Sequence, residues 1–150
     1  MPQIRSYFYS TVFDRFRNGK YVEAIDGIMR YNIRQSSAGF RRVYDVIIRS
    51  LMRVETLDLK NSKEEDIKRI QRELLRGIII AEYQAGRKVL NDDLASGIEQ
   101  AIKDIISALS NRRFDEARNL AAALRDSLDA LLTFKIVSGR RAEEEEEEFL

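Results

Sequence analysis

The stretch SKEEDIKRIQRELLRGIIIAEYQAGRK, from Ser62 to Lys88, decides the fold of this chain. Its apolar residues recur at steps of three and four, which is the spacing of one face of an α-helix. Ser62 and Glu65 at its start have the spacing of a capping box, in which each side chain accepts a hydrogen bond from a free backbone N–H. Three consecutive isoleucines at 78–80 predict burial on more than one side of the helix. Another face carries a basic stripe of Lys68, Arg72 and Arg76.

Helical spacing continues on both sides of this stretch. It predicts helices at about residues 4–17, 20–34 and 38–57 before it, and at about 94–109 and 112–137 after it. Asn18-Gly19 predicts the end of the first helix, Ser36 or Ser37 a cap for the third, and Asn91-Asp92-Asp93 a turn with an acidic start to the fifth. No stretch alternates in the manner of a strand. The sequence therefore predicts an all-α fold, a single-domain helical bundle of about five to six helices.

Composition divides the chain into three segments. Residues 1–35 are an N-terminal pair of helices rich in aromatic side chains, which can form a separable lobe. Residues 36–139 are the core of the bundle, and residues 140–150 are an acidic tail predicted to be disordered. Without the run Glu143 to Glu148 the chain has 26 basic and 19 acidic residues, a charge of +7. This basic body favours a polyanionic partner. The N-terminal aromatics suit either base stacking or a hydrophobic core, and their helical spacing favours the core.

Several kinds of chemistry are disfavoured by what the sequence lacks. It contains no Cys and no His, which removes disulfides, thiol chemistry, most transition-metal sites and the usual general base at neutral pH. Paired acids such as Asp92-Asp93 stand at helix starts, where the helix dipole already explains them. We therefore expect a protein that is not an enzyme and needs no cofactor or metal. No apolar run approaches the ~18 residues of a membrane span, and the N-terminus does not resemble a secretory signal, so we expect a cytoplasmic protein without membrane contact.

Basic residues at the ends of helices are the best functional candidates. Arg41-Arg42 and Arg87-Lys88 each have few acids nearby in sequence and stand where a phosphate chain can approach. Contacts of this kind bind nucleic acid without reading its sequence. The alternative is ordinary solvated surface with partners one helical turn away, such as Lys68 with Glu64 or Glu65. For the two end pairs the sequence leaves both interpretations open.

The run Tyr83-Gln84-Ala85-Gly86-Arg87 resembles a known family. It is similar to the end of the central helix in the small helical subunit of type III-A CRISPR effector complexes, the Csm small-subunit family. A short acidic turn follows that run in the family, as residues 91–93 do here. Looser similarities are the serine-rich start of a helix, Ser36 to Arg41, and the hydrophobic end of the last helix, Leu131 to Lys135, with Gly139. The resemblance covers about residues 36–139 and departs from the family where Ala38 or Gly39 replaces a basic residue, a role that Arg42 can take over.

The resemblance implies a non-catalytic subunit of an RNA-guided complex in antiviral defence. Several copies would associate with one another and with other subunits of the effector complex, along the duplex of guide RNA and target RNA. Sequence is read there by base pairing, so the protein needs only cations and shape. The RNA-binding residues it implies are Arg41, Arg42, Arg87 and Lys88, with Arg49 and Arg53 as further contributors. The family offers no counterpart for the N-terminal helices or the glutamate tail.

A different class of function is a helical protein-interaction adaptor with no RNA role. Residues 18–24 and 111–117 share a basic residue, an aromatic residue and Glu-Ala at a helix start, a pattern typical of tetratricopeptide hairpins. Two separated copies do not make an array, because such folds need three or more repeats. Binding to RNA across a salt gradient distinguishes the two functions.

Overall fold

The computed structural model describes residues 5–56, 58 and 61–137, which form six helices and no β-strand. Helix α1 begins with the π-helical turns Phe8–Phe13 and continues as Asp14–Arg17, and it is followed by α2 (Tyr21–Met29), α3 (Ser37–Thr56), α4 (Glu64–Gly86), α5 (Asp92–Ser110) and α6 (Phe114–Leu131, with π-helical turns at Leu132–Val137). The predicted all-α single domain of five to six helices is confirmed. The predicted acidic tail at 140–150 and Gly139 lie outside the described residues.

Helices α3, α4, α5 and α6 form a closed ring, in which each packs against two neighbours. Gly77, in the middle of α4, marks the point where three of them meet. A Cβ atom there would lie 2.8 Å from Ile47 Cγ1 on α3 and 3.2 Å from Ile102 Cδ1 on α5. The glycine therefore lets both isoleucine side chains pack against the backbone of α4. This close packing offsets the free energy that a glycine costs in the interior of a helix.

The N-terminal pair of helices packs against α5 and α6. Phe8, Phe13 and Phe16 are buried, which confirms the prediction that the aromatic residues belong mainly to the core. The Asp93 carboxylate at the start of α5 accepts hydrogen bonds from the backbone N–H groups of Tyr7, at 2.8 Å, and Phe8, at 3.1 Å. It therefore caps α1 from a distant part of the sequence. These contacts disfavour a separable lobe at residues 1–35, whose independence stays a prediction.

Three local expectations were wrong, and each has a physical reason. Helix α2 ends at Met29 rather than near residue 34, because the Tyr31 hydroxyl donates to the Asp93 carboxylate and its ring stacks on Tyr7. The cap of helix α4 lies one residue later than expected, at Lys63 instead of Ser62, since the Asp66 carboxylate and not that of Glu65 accepts a hydrogen bond from the cap's backbone N–H. The isoleucines at 78–80 are not buried on several sides: Ile79 is 59% exposed.

None of the helices within the described ranges combines the length and the apolar character that a bilayer-spanning segment needs.

Candidate nucleic-acid interface

Two segments meet at one end of the bundle, residues 34–42 and residues 84–92. The Gln35 side chain connects them, because its Nε2 donates to the backbone oxygen of Val89 at 2.7 Å and its Oε1 accepts from the backbone N–H of Asn91 at 2.7 Å. At Gly39 the two backbones come so close that a Cβ atom would lie 2.2 Å from the Val89 oxygen. Only a glycine permits this approach. The start of α3 is thereby fixed against the turn that follows α4.

A surface hollow opens at this junction, which we call the arginine hollow. It is lined by Ser36, Ala38, Gly39, Arg42, Gln84, Arg87 and Val89. Arg42 comes from the first turns of α3 and Arg87 from the end of α4, and both are exposed. The Arg87 guanidinium lies 5.6 Å from the centre of the Tyr83 ring, a cation–π contact that orients it. Two of the predicted RNA-binding residues, which are 45 positions apart in sequence, therefore line the same hollow.

The N-terminus of α3 adds to the positive potential of the arginine hollow. Ser36 caps this helix, since its Oγ accepts a hydrogen bond from the Gly39 N–H at 3.3 Å, in agreement with the predicted serine cap. The first turn of a long helix has free N–H groups and the positive end of the dipole, which favour an anion. Arg42 makes no ion pair within the described part of the chain. The hollow therefore presents cationic groups that intramolecular acids leave free.

A second hollow lies beside the first and shares Ser36 and Val89 with it. Its charged lining residues are Arg34, Lys88 and Asp92. Asp92 makes this lysine hollow less favourable to a phosphate than the arginine hollow, because its carboxylate repels an anion. The sequence analysis did not propose Arg34, which was the last residue of the expected second helix. Its actual position in the loop before Gln35 depends on the early end of α2.

The backbone of Lys88 adopts a left-handed conformation, with φ of 62°. This region is unfavourable for residues other than glycine and is usual for glycine or asparagine just after a helix. Arg112, between α5 and α6, has the same geometry with φ of 55°. The two positions differ in place: Lys88 lines the lysine hollow, whereas Arg112 lies at the opposite end of the bundle, near the start of α4.

The other predicted RNA-binding residues lie outside both hollows. Arg41 and Arg49 are exposed on α3 and line neither of them. Arg53 is also exposed, but its Nη1 forms an ion pair with Glu73 Oε1 on α4 at 2.5 Å. That pair links the two helices and occupies part of the guanidinium. The structure thus brings together Arg42, Arg87 and, in the adjoining hollow, Lys88, and it gives Arg53 an intramolecular partner.

Gln84 is a residue of the arginine hollow that the sequence did not single out as a site. Only 2% of its surface is exposed, and its Oε1 has no hydrogen-bond partner among the described residues. A buried amide oxygen without a partner costs about 1–3 kcal/mol of stability. The resemblance did include Gln84 in its five-residue run, but a glutamine in a sequence gives no sign of burial.

The exposed face of α4 combines cations with apolar side chains. Lys68, Arg72 and Arg76 are all exposed, and Lys68 pairs weakly with Glu64 at 4.0 Å, one of the partners expected for an ordinary surface. Beside them Leu75, Ile79 and Tyr83 recur every fourth residue and are 48%, 59% and 60% exposed. An apolar row of this kind is more typical of a protein contact than of a free surface.

An acidic pair bridges α4 and α5 at the edge of this face. Burial, together with a hydrogen bond to Glu82 and that residue's negative charge, raises the pKa of Glu99 from 4.5 to about 7. Lys103 acts in the opposite direction. Glu99 therefore takes up a proton near neutral pH, which removes the repulsion between the two carboxylates.

Comparison with protein-family models, with curated proteins and with solved structures found no match for this chain.

Proposed function

We propose that this chain is a non-catalytic RNA-binding subunit that holds the RNA backbone without reading its sequence, as the small subunit of a type III-A CRISPR effector complex does. The observation that carries the proposal is the meeting of two motifs. Residues 36–41 and 83–87 supply the resemblance to the Csm small-subunit family, and both segments contribute to the lining of the arginine hollow. They are more than 40 residues apart in sequence.

The chemistry of the arginine hollow suits a phosphate. Arginine binds phosphate through several N–H donors at once, and a helix N-terminus adds further backbone donors. Two exposed arginines from different helices can contact successive oxygens of one phosphodiester or two neighbouring phosphates. Neither contact depends on the identity of a base. The positive charge of the chain ahead of its glutamate run supplies the long-range attraction for such a strand.

The apolar row of Leu75, Ile79 and Tyr83 supports contacts with other subunits of the effector complex or with a second copy of this chain. The row and the arginine hollow share one helix, because Tyr83 also lies beside Arg87. A subunit that stacks against its neighbour through α4 would place its hollow next to the neighbour's surface. In this arrangement several copies would follow one duplex of guide RNA and target RNA.

The proposal is tested with the double charge reversal Arg42→Glu and Arg87→Glu. Binding of single-stranded RNA, measured by gel shift across salt concentrations, is expected to weaken equally for unrelated sequences. The slope of log K against log salt should fall by about 1.4, since each lost phosphate contact on a single strand contributes about 0.7. The matched control is Arg112→Glu with Arg113→Glu, which makes the same charge change at the opposite end of the bundle.

Unchanged RNA binding and an unchanged slope in the Arg42/Arg87 variant would refute the assignment. An equal loss in the control would reduce the effect to net charge alone. The double reversal of Arg41 and Arg42, compared with each single reversal, separates the contribution of Arg41, which lies outside the hollow. We expect a smaller loss when Arg41 alone is reversed than when Arg42 alone is.

The second candidate function is a helical interaction adaptor with no RNA role. The apolar row on α4 favours it, because this surface suits a protein partner whether or not RNA binds. The two functions differ in one measurement. An adaptor would show no RNA retention even at low salt, and an Ile79→Glu variant would lose its protein partner while the arginine variants kept it.

A further inference from the structure

The longest run of one charge in the sequence is the six consecutive glutamates at residues 143–148. The arginine hollow is an open site for negative charge, because neither Arg42 nor Arg87 forms an ion pair with an acid among residues 5–56, 58 and 61–137. Opposite charges attract within about 10 Å at moderate ionic strength. The glutamates therefore bind in the hollow only if the chain brings them close to it.

The end of α6, from which the chain continues to the glutamates, lies beside the start of α3. Tyr44, two turns into α3, donates a hydrogen bond from its hydroxyl to the Asp129 carboxylate, close to the end of α6. The π-helical turns that follow end at Val137, and within them Lys135 Nζ donates to the backbone oxygen of Met29 at 2.8 Å. Met29 ends α2 and precedes the loop that leads to both hollows. The glutamates thus follow from the same end of the bundle as the hollows.

The chain is long enough to place the glutamates on the hollows. From residue 137 to residue 143 it spans at most about 20 Å. Neighbouring helices pack about 8–10 Å apart, so the start of α3 and the end of α4 lie within that reach. Arg112 and Arg113 lie at the far end of the 19-residue helix α5, about 28 Å away. Only the last glutamates of a fully extended chain would reach them, so the hollows are the favoured basic site.

We propose that the glutamates at 143–148 occupy the arginine hollow and the adjoining lysine hollow when RNA is absent, and that RNA displaces them. Carboxylate oxygens pair with guanidinium groups in the same bidentate manner as phosphate oxygens, so both ligands use the same donors. A segment of the same chain has an effective concentration of about millimolar, which lets weak contacts compete with RNA. This inference rests on the proposed function and adds the regulation of its site.

The first test detects the contact without RNA. The sequence has no cysteine, so Ala142→Cys carries a single spin label next to the glutamates in the full-length chain. The label broadens the NMR signals of backbone amides close to it. We expect strong broadening at Ala38 and Val89, which line the arginine hollow, and little at Arg112. The broadening should disappear at about 1 M salt, which screens exposed charges.

Two full-length variants distinguish docking from mere proximity. The glutamine-tail variant, Glu143→Gln with the same change at residues 144–148, keeps the length of the segment and removes its charge. Arg42→Glu with Arg87→Glu keeps the glutamates and reverses the charge of the hollow. Each should abolish the broadening at the hollow, whereas the control reversal at Arg112 and Arg113 should leave it unchanged. Broadening that persists in either of the first two variants would overturn the inference.

RNA supplies the second test. The glutamine-tail variant should bind single-stranded RNA about three- to tenfold more tightly than the wild type, as expected if the hollow is free in about a third to a tenth of wild-type molecules. RNA added to the labelled wild type should remove the broadening as it binds. Complete broadening in the RNA-bound chain would refute the competition.

The two proposals fail in different ways. RNA binding without any broadening at the hollow would leave the proposed function intact and refute this inference. No RNA binding by the wild type or the glutamine-tail variant at low salt would refute the proposed function and the competition, even if the broadening showed that the glutamates dock.

Discussion

The close contact between the backbones of Gly39 and Val89 predicts that even Gly39→Ala, which adds one methyl group, has a large effect on stability. In Gly39→Ala the new methyl group would lie 2.2 Å from the Val89 oxygen, 3.0 Å from the Val89 carbonyl carbon and 3.2 Å from Ser36 Oγ. The first two atoms are backbone and cannot rotate away, so residues 87–91 must move by about 1 Å to restore a normal contact. This displacement breaks the hydrogen bond from Gln35 Nε2 to Val89 and strains the one from Asn91 to Gln35.

We expect Gly39→Ala to lower the free energy of unfolding by about 1–3 kcal/mol. Overpacking costs typically 1–3 kcal/mol, and each lost hydrogen bond about 0.5–1.5 kcal/mol. The better helix propensity of alanine offsets about 1 kcal/mol of that total. Urea denaturation measures the change. RNA affinity should fall as well, because Arg87 and Lys88 move away from Arg42.

Gly86→Ala is the matched control for this substitution. Gly86 is the last residue of α4, and a Cβ atom there would meet no heavy atom within 4 Å. The same chemical change should therefore stabilise the chain by about 0.5–1 kcal/mol through helix propensity. If Gly39→Ala were as stable as Gly86→Ala, the close contact between α3 and the 87–91 turn would be absent, and with it the geometry of the hollow.

Three further perturbations test the site and its support. Lys88→Asn and Arg112→Asn should each stabilise the chain by about 0.5–1 kcal/mol in urea denaturation, because asparagine tolerates the left-handed backbone. Only Lys88→Asn should weaken RNA binding. The pKa of Glu99 is raised from 4.5 to about 7, so its contribution to stability is full below pH 4.5 and is lost as the pH rises through 7. The free energy of unfolding of Glu99→Gln should therefore equal that of the wild type at pH 4.5 and exceed it at pH 8 by about 1 kcal/mol, after allowance for solvent screening. Equal pH profiles would contradict the pairing with Glu82. Asp93→Asn should lower the free energy of unfolding by about 1–3 kcal/mol in urea denaturation. One amide oxygen cannot accept from all four present donors, which are two backbone N–H groups and two hydroxyls, those of Tyr7, Phe8, Ser6 and Tyr31.

The number and order of the helices could be predicted because they depend on local signals. The break at Asn18-Gly19 is real, with Gly19 at φ of 75°, and Asn91 caps α5 by accepting a hydrogen bond from the Leu94 N–H. Ser36 caps α3 as expected. Each of these signals lies within four residues of the feature it determines. The apolar spacing then fixed which face of each long helix is buried.

Features that depend on distant residues could not be predicted. The end of α2 at Met29 follows from the bond between Tyr31 and Asp93, which are 62 residues apart. The exposure of Ile79 follows from the ring of four helices, which leaves that face of α4 without a neighbour among the described residues. Arg42 and Arg87 were predicted to belong to one contact surface, but the hollow they share depends on the antiparallel packing of α3 on α4, which the sequence does not show. The burial of Gln84 required the same packing.

The N-terminal helices support the turn that carries Arg87 and Lys88, a role that the resemblance did not imply. Asp93 caps α1 and holds Tyr31, and it stands two residues after Asn91, whose N–H is bound by Gln35. The turn from Arg87 to Asp93 is therefore held from two sides, by the start of α3 and by the aromatic pair. A turn anchored at both ends keeps Arg87 and Lys88 in place before a ligand arrives, which lowers the entropy lost on binding. If the proposed function holds, the aromatic residues would support the RNA-binding cations without contacting a base themselves.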